Sequence, residues 1–409
     1  MIQRETYLNQ LKAFQDQPLI KVITGMRRSG KSTLLKLFAE DLLSQGIHKD
    51  QLIQMNFESM EFDQIRDYRA LYTWIKDRMT GKSHVYLMLD EVQQVEHWEK
   101  AVNSLFMEGN ADIYLTGSNA SLLSSEISTL LSGRYVEIQV LPLSFQEYLQ
   151  FLPAPKAENK DLAFQQYLKY GGLPIIPLLP QENDAIRLFL SGIYNTVLMK
   201  DIVQRNAVRD PALLDALVHF LADNVGNPVS SPKISGYLTS VGRKTSTFTI
   251  DNYVRMLQSA FIFHKISRYD IKGKLHLKTQ EKYYIADIGL RNALLGFRNT
   301  DYGHILENLV YLELLRRGYQ VSIGKLGTLE IDFIAEKTDE KKYIQVSASI
   351  MDENTRRREL APLEAISDNY EKFILTMDHT IFSDFNGIRC KNIIDFVHCF
   401  TFHKGFSVD

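Results

Sequence analysis

Short apolar runs alternate with amphipathic stretches over the first 140 residues. Five runs of β-branched, aliphatic or aromatic residues predict strands at 19–24, 52–57, 85–89, 112–116 and 135–140. Between them, leucines recur at helical spacing, as at Leu34, Leu35 and Leu42. Strands that alternate with amphipathic helices indicate a parallel sheet with helices on both faces.

Beyond residue 145 the pattern changes. Residues 145–205 carry helical periodicity, broken by YGGLPIIP at 170–177. Three predicted helices and two strands around a turn follow within 210–290, which is the plan of a winged helix. From about residue 300 an α/β pattern returns, with a helix at 304–319 and strands at 329–336, 342–348 and 372–377.

Length and composition narrow the class of protein. With 409 residues the chain is too long for one core, so two to four domains are expected. The net charge of −2 confines any nucleic-acid surface to a local patch. Two cysteines and the lack of a long apolar run fit a cytoplasmic protein with no membrane segment.

The segment GMRRSGKST lies between the first strand and the first long helix and matches the phosphate-binding pattern G-x-x-x-x-G-K-[ST]. Its glycines let the backbone wrap around an anion, and the N–H groups at the helix start point at phosphates. The lysine would reach the β- and γ-phosphates of ATP, and the first hydroxyl would hold Mg²⁺. The predicted nucleotide-binding residues are Gly25, Arg28, Ser29, Gly30, Lys31, Ser32 and Thr33.

The strand VYLMLDE supplies the carboxylates that hydrolysis needs. Asp90 at its end is predicted to hold Mg²⁺ together with Ser32, and Glu91 to polarise the attacking water. Asn119 follows the next strand and would orient the water or the γ-phosphate, or else is a turn residue. Arg134 would reach a γ-phosphate in its own or a neighbouring subunit, or else is a solvated surface arginine. Lys31, Glu91, Asn119 and Arg134 are the candidate catalytic residues.

With LTGSNASLLSSEISTLLSGRYVEIQVLPLSFQEYL and YGGLP, these motifs resemble prokaryotic AAA-superfamily (P-loop) ATPases that join an ATPase core to a winged helix and a nuclease-like domain. The resemblance spans nearly the whole chain. It implies a five-stranded sheet in the order 5-1-4-3-2 and matching roles for Lys31, Asp90, Glu91 and Asn119. The domains expected from it are an ATPase core at 1–145, a helical lid at 146–207, a winged helix at 208–295 and an α/β nuclease-like domain at 296–409.

Positive charge is concentrated in residues 233–282, which contain ten Lys or Arg against three acids. Arg243 and Lys244 precede the third predicted helix, and Lys272 and Lys274 lie at the predicted hairpin tip. This is the electrostatic pattern of a duplex-binding module with weak sequence preference. A solvated basic face, or a wing that docks proteins, would show the same charges.

The C-terminal segment resembles the PD-(D/E)xK nuclease core, in which carboxylates bind Mg²⁺ and a lysine assists the attacking water. Glu307 and Asp332 match the first two acids, but Gln345 stands where a further acid belongs and Ser347 where the lysine belongs. We therefore expect a scaffold that does not cleave.

The sequence thus predicts a Mg²⁺-dependent AAA-superfamily ATPase that binds ATP and ADP, and DNA through its winged helix, and leaves its oligomeric state open. Two alternatives remain: a nucleotide-switched signalling or assembly protein that binds proteins, and an active ATP-regulated nuclease.

Overall fold

A computed structural model describes residues 2–123, 131, 133–180, 183–298, 301–379 and 384–398. Part of the quoted family segment, at 124–130 and 132, and the last eleven residues lie outside this description. The chain forms two units, Met1–Pro142 with Ser259–Phe261, and Leu143–Gln258 with Ile262–Asp409.

The first unit contains the predicted parallel sheet. Every strand begins and ends within one residue of its expected position. The strands are β1 (Ile20–Thr24), β2 (Leu52–Asn56), β3 (Val85–Asp90), β4 (Ala111–Thr116) and β5 (Tyr135–Gln139). Their order is β2-β3-β4-β1-β5, and all neighbours are parallel, so the order implied by the resemblance is confirmed.

Helices cover both faces of this sheet because successive side chains of a buried strand point in opposite directions. Leu87 and Leu89 belong to one apolar cluster and Tyr86 and Met88 to the other. The helices are α1 (Glu5–Ala13), α2 (Lys31–Ser44), α3 (Tyr68–Met79) and α4 (Trp98–Glu108).

The second unit begins with helices. Those before residue 205 are α5 (Phe145–Phe151), α6 (Ala154–Glu158), α7 (Lys160–Tyr170) and α8 (Asn183–Thr196), followed by a π-helical segment at Val197–Gln204. The next three are α9 (Pro211–Asp223), α10 (Ser231–Ser240) and α11 (Thr247–Ser259). They lie where the sequence predicts the helices of the winged helix.

An eight-stranded mixed sheet fills the rest of this unit. Its strands are β6 (Phe263–Asp270), β7 (Leu275–Ile285), β8 (Gln320–Leu326), β9 (Leu329–Lys337), β10 (Glu340–Ser347), β11 (Glu371–Thr376), β12 (Asp384–Phe385) and β13 (Ile388–Asn392). The order is β12-β13-β11-β10-β9-β8-β6-β7. Its helices are α12 (Ile288–Leu295), α13 (Tyr302–Arg316), α14 (Glu353–Glu364) and α15 (Ile393–His398).

The predicted hairpin β6–β7 is therefore part of the C-terminal sheet. β6 pairs in parallel with β8, with Arg268 opposite Ile323. One sheet thus runs across the domain boundary predicted at residue 295, and the four predicted domain ranges stay a prediction. Sequence patterns did not indicate β8, β12, β13, α12, α14 or α15. Among the described helices, none is long and apolar enough to span a membrane.

Candidate nucleotide site and C-terminal carboxylate cluster

The phosphate loop is shaped by two glycines with positive φ. Gly25 has φ of 139°, and a Cβ there would lie 2.2 Å from the carbonyl oxygen of Val140. Gly30 has φ of 99° and forms the N-cap of α2. A side chain is therefore excluded at the first position and strained at the second. Lys31 is buried, and its Nζ donates to the carbonyls of Gly25 and Met26, each at 3.0 Å.

The other loop residues differ in exposure. Arg28, at φ of 67°, and Thr33 are exposed, whereas Ser29 is buried. The Ser29 hydroxyl has no hydrogen-bond partner within the described part of the chain.

Side-chain oxygen atoms from α2, β3 and β4 meet at the start of α2. The Ser32 hydroxyl donates to Asp90 Oδ1 at 3.0 Å. The Thr116 hydroxyl, at the end of β4, donates to the same carboxylate oxygen and accepts from the Glu91 N–H at 2.9 Å. A hydroxyl beside a buried carboxylate fits Mg²⁺, which prefers oxygen ligands and usually takes one or two carboxylates together with substrate phosphates. A cavity of about 280 Å³ is lined by Ser32, Asp90 and Asn56.

Glu91 lies next to this pair with its backbone in the left-handed region, at φ of 55°. Its Oε2 accepts from the Ser118 hydroxyl at 3.2 Å and from the Gln93 amide. Asn119 follows β4 and is buried, with 3% of its surface exposed. The structure thus brings Ser32, Asp90 and Glu91 together at the carboxyl edge of the sheet, where β1 and β3 lie on either side of β4. Sequence patterns did not single out Thr116, Ser118 or Gln93, although two of them lie in the LTGSNAS motif.

Arg134 lies at the opposite edge of the sheet. Its carbonyl accepts from the Ile20 N–H at 2.8 Å, where β1 begins, whereas the phosphate loop follows the end of β1. Five strand residues separate these edges by roughly 15 Å. The exposed guanidinium lies 2.7 Å from the Met107 sulfur. Arg134 therefore does not reach the nucleotide site of its own chain, which corrects that alternative, while a role at a neighbouring subunit's site stays a prediction.

Arg4 is a residue of this site that sequence reasoning missed. Its guanidinium is buried and donates to the carbonyls of Ser29 at 2.9 Å and Leu141 at 3.0 Å. It also lies 4.6 Å from the centre of the Tyr7 ring, whose hydroxyl accepts from the Leu141 N–H at 3.1 Å. The N-terminal helix thereby fixes the phosphate loop to the segment after β5. A single arginine before a helix gives no sequence signal for such a contact.

In the second unit, the predicted nuclease-like residues lie close together and are already hydrogen-bonded. Asp332 Oδ2 accepts from the Val346 N–H at 2.9 Å. Gln345 Oε1 accepts from the Asp332 N–H at 3.3 Å, and its amide donates to Glu359 Oε2 at 3.0 Å. Within the described ranges, no group of three or more His, Cys, Asp or Glu residues is placed to hold a metal ion.

The titration of this cluster is strongly perturbed. Burial, and then the negative charge of Glu307, hold the pKa of Asp332 well above its ordinary value. Burial alone would raise the pKa of Glu307, but Lys282 and His304 outweigh it and the pKa lies below its ordinary value. Glu307 also accepts from the Tyr284 hydroxyl at 3.0 Å.

The basic residues of 233–282 differ in their exposure. The four candidate DNA-binding residues, Arg243, Lys244, Lys272 and Lys274, are all exposed. Arg268 and Lys282 are instead buried and paired with acids. The sequence count therefore overstates the charge available to an external anion.

Comparison with known proteins identifies the class. Residues 17–149 match the AAA domain family, and residues 161–301 match a domain of unknown function, DUF8612. A Walker-type ATPase of Pyrococcus abyssi shares the fold, with a TM-score of 0.52 and 17% identity over 72% of this chain and 96% of that one. The parallel sheet, the phosphate loop and the AAA match identify residues 17–149 as an AAA-type P-loop ATPase domain.

Two relatives extend the similarity along most of the chain. An uncharacterised protein of Haemophilus influenzae is 44% identical over 97% of this chain and 98% of its own length. Another, of Methanocaldococcus jannaschii, is 32% identical over 85% of this chain and 79% of its own. The chain belongs to the same family as these two proteins.

Proposed function

We propose that this protein is a cytoplasmic Mg²⁺-dependent ATPase that binds DNA through its basic middle segment and carries a nuclease-like C-terminal scaffold that does not cleave. The hydroxyl of Ser32 at 3.0 Å from Asp90, at the mouth of the phosphate loop, is the observation that carries the ATPase proposal. ATP would be held by the loop N–H groups and Lys31, and ADP by the same groups after hydrolysis.

Different residues of the chain have different roles in the proposed hydrolysis. Ser32 and Asp90 would hold Mg²⁺, which when bound would neutralise phosphate charge. Glu91 lies directly after Asp90, where its carboxylate can polarise a water, and Ser118 and Gln93 hold that carboxylate in place. Asn119 supplies a polar side chain at the end of the neighbouring strand.

Steady-state ATPase assays on matched variants test this assignment. Lys31→Ala should abolish nucleotide binding, whereas Glu91→Gln should retain ATP and lose about 10²–10⁴ in turnover, because an amide does not accept the proton. Glu96→Gln, at an exposed acid five residues on, is the control and should match the parent. Wild-type turnover by Glu91→Gln would show that the base is another group.

DNA binding is supported by the exposure of Arg243, Lys244, Lys272 and Lys274. Changing Lys272 and Lys274 to Glu should weaken binding to unrelated duplexes equally. The slope of log K against log salt should become shallower by roughly 0.9 for each phosphate that the variant no longer neutralises. The same change at the exposed lysines 156 and 160 of α6 and α7 is the control. A parent protein without affinity for DNA at low salt would favour the alternative of a protein-binding module.

The hydrogen bonds of Asp332 and Gln345 support the proposal that the C-terminal scaffold does not cleave. Each of these side chains is engaged by a protein group, and Ser347 offers no ammonium; its hydroxyl donates to the Ser349 carbonyl at 3.0 Å. Purified protein should show no divalent-dependent cleavage of DNA with or without ATP. Nicking that disappears in Asp332→Ala and persists in Lys31→Ala would support the alternative of an active nuclease.

A further inference from the structure

A lysine from the hairpin lies inside the C-terminal carboxylate cluster. Lys282 is on β7, opposite Ile266 of β6, and only 3% of its surface is exposed. Its Nζ lies 2.9 Å from Glu330 Oε1 and 3.5 Å from Glu307 Oε2. Three separate elements, β7, β9 and α13, therefore meet at one ammonium group. Burying an ammonium group costs free energy unless it is paired and hydrogen-bonded, and these two carboxylates supply the pairing.

Lys282 is placed to neutralise carboxylates on two other elements, Glu307 on α13 and Glu330 on β9. Glu307 is also the first acid of the nuclease pattern, and Asp332, the second, lies two residues from Glu330 on β9.

A divalent ion would have to compete with this arrangement. Mg²⁺ and Mn²⁺ need ionised carboxylates whose oxygens point at one position. Glu307 is already paired with Lys282 and hydrogen-bonded to Tyr284, and Asp332 accepts from the Val346 N–H. A second positive charge between these carboxylates would be repelled by the Lys282 ammonium.

Burial argues against a catalytic role for the same lysine. The side chain of Lys282 is 4% exposed and that of Glu307 is 12% exposed. An amine that activates water against a phosphodiester must reach that phosphodiester, and Lys282 instead contacts Glu307 and Glu330.

We propose that the Lys282 ammonium occupies the cation position of the Glu307–Asp332 cluster, so that this domain holds a protein cation where a nuclease of this pattern holds a metal ion. The inference deepens, and rests on, the non-cleaving role proposed above. It also assigns Lys282 to the interior and not to the DNA-binding surface.

Manganese binding tests the proposal directly. Full-length protein without nucleotide is used, in an Asp90→Asn background so that the nucleotide site does not contribute. Free Mn²⁺ is measured by electron paramagnetic resonance and thermal unfolding is recorded in parallel. The Lys282-containing protein should bind no Mn²⁺ at the cluster. Lys282→Met should unfold at a lower temperature, take up one Mn²⁺, and regain several degrees of stability when Mn²⁺ is added.

Two further variants keep the result decisive. Lys282→Arg retains the charge and should bind no Mn²⁺. If Lys282→Met does not fold, Lys282→Met with Glu330→Gln removes the carboxylate that lies nearest to the lost ammonium and leaves Glu307 and Asp332 in place. Adding Asp332→Asn to either lysine-free variant should abolish Mn²⁺ uptake.

Two results would overturn the proposal. One is Mn²⁺ binding by the Lys282-containing protein that is lost in Asp332→Asn. The other is the absence of Mn²⁺ binding in a folded Lys282→Met protein or in its Glu330→Gln partner. The second result, with no DNA cleavage by the parent, would remove this inference and leave the non-cleaving role intact. Divalent-dependent cleavage by the parent would remove that role as well.

Discussion

Replacing Arg4 by Met should weaken both the first unit and its nucleotide site. Arg4 donates to the carbonyls of Ser29 and Leu141 at 2.9 and 3.0 Å, and more weakly to Pro142 at 3.4 Å. Hydrogen bonds from a charged donor contribute a net free energy of roughly 1.5–3 kcal/mol each, desolvation included, so losing the two short ones should cost at least about 3 kcal/mol.

Thermal unfolding and nucleotide titration measure the two effects. A loss of about 3 kcal/mol should lower the unfolding midpoint of a unit of this size by roughly 10 °C. The loop also loses the group that holds the Ser29 carbonyl. If the loop then keeps its binding conformation about a tenth of the time, the apparent affinity for ATP falls about tenfold.

The control lies on the same helix. Lys12 forms an exposed ion pair with Asp41 at 2.7 Å, so Lys12→Met should change stability by less than about 1 kcal/mol and leave ATP affinity unchanged. Arg4→Lys should recover part of the affinity, because an ammonium still donates to one carbonyl. If Arg4→Met is as stable as Lys12→Met and binds ATP as tightly as the parent, Arg4 does not position the loop.

Two further predictions concern the second unit. Gly289→Ala should destabilise it by about 1–3 kcal/mol in urea titrations, because the new Cβ would lie 2.0 Å from the Tyr170 carbonyl oxygen. Gly192→Ala, which faces open space on α8, should not destabilise it. Burial raises the pKa of the Asp287 carboxyl to about 6, above its ordinary value. Below pH 6 the folded protein therefore keeps a proton that the unfolded chain has released, so the free energy of unfolding falls as the pH rises towards 6. Asp287→Asn should remove up to about 3 kcal/mol of this change in the free energy of unfolding. Profiles of unfolding free energy against pH that run parallel for the variant and the parent would contradict the prediction.

The nucleotide site could be predicted from sequence because its parts are local. The glycines, the lysine and the hydroxyls of the phosphate loop are within nine consecutive residues, and Asp90 and Glu91 end one strand. The parallel arrangement then brings the two segments to one edge of the sheet. Arg134 could have been placed by the same rule, since a residue that precedes a parallel strand lies at the other edge.

Contacts between distant segments could not be predicted in this way. Arg4 meets Ser29 across 25 residues and Leu141 across 137, and no periodicity relates them. A count of cations in the predicted wing includes Lys282, because charge alone does not show burial. The apolar run Tyr283-Tyr284-Ile285 directly after it was a signal that both faces of β7 are buried there, and all three residues are buried.

The pairing of β6 with β8 bears on how this protein can be divided for study. A fragment that ends at residue 295 would keep the hairpin but lose β8, and a fragment that begins at 296 would present β8 with an unpaired row of N–H and C=O groups. Open edges of this kind recruit other strands, so both fragments should aggregate when they are expressed alone. A truncation that keeps residues 262–398 together would preserve every described strand of this sheet.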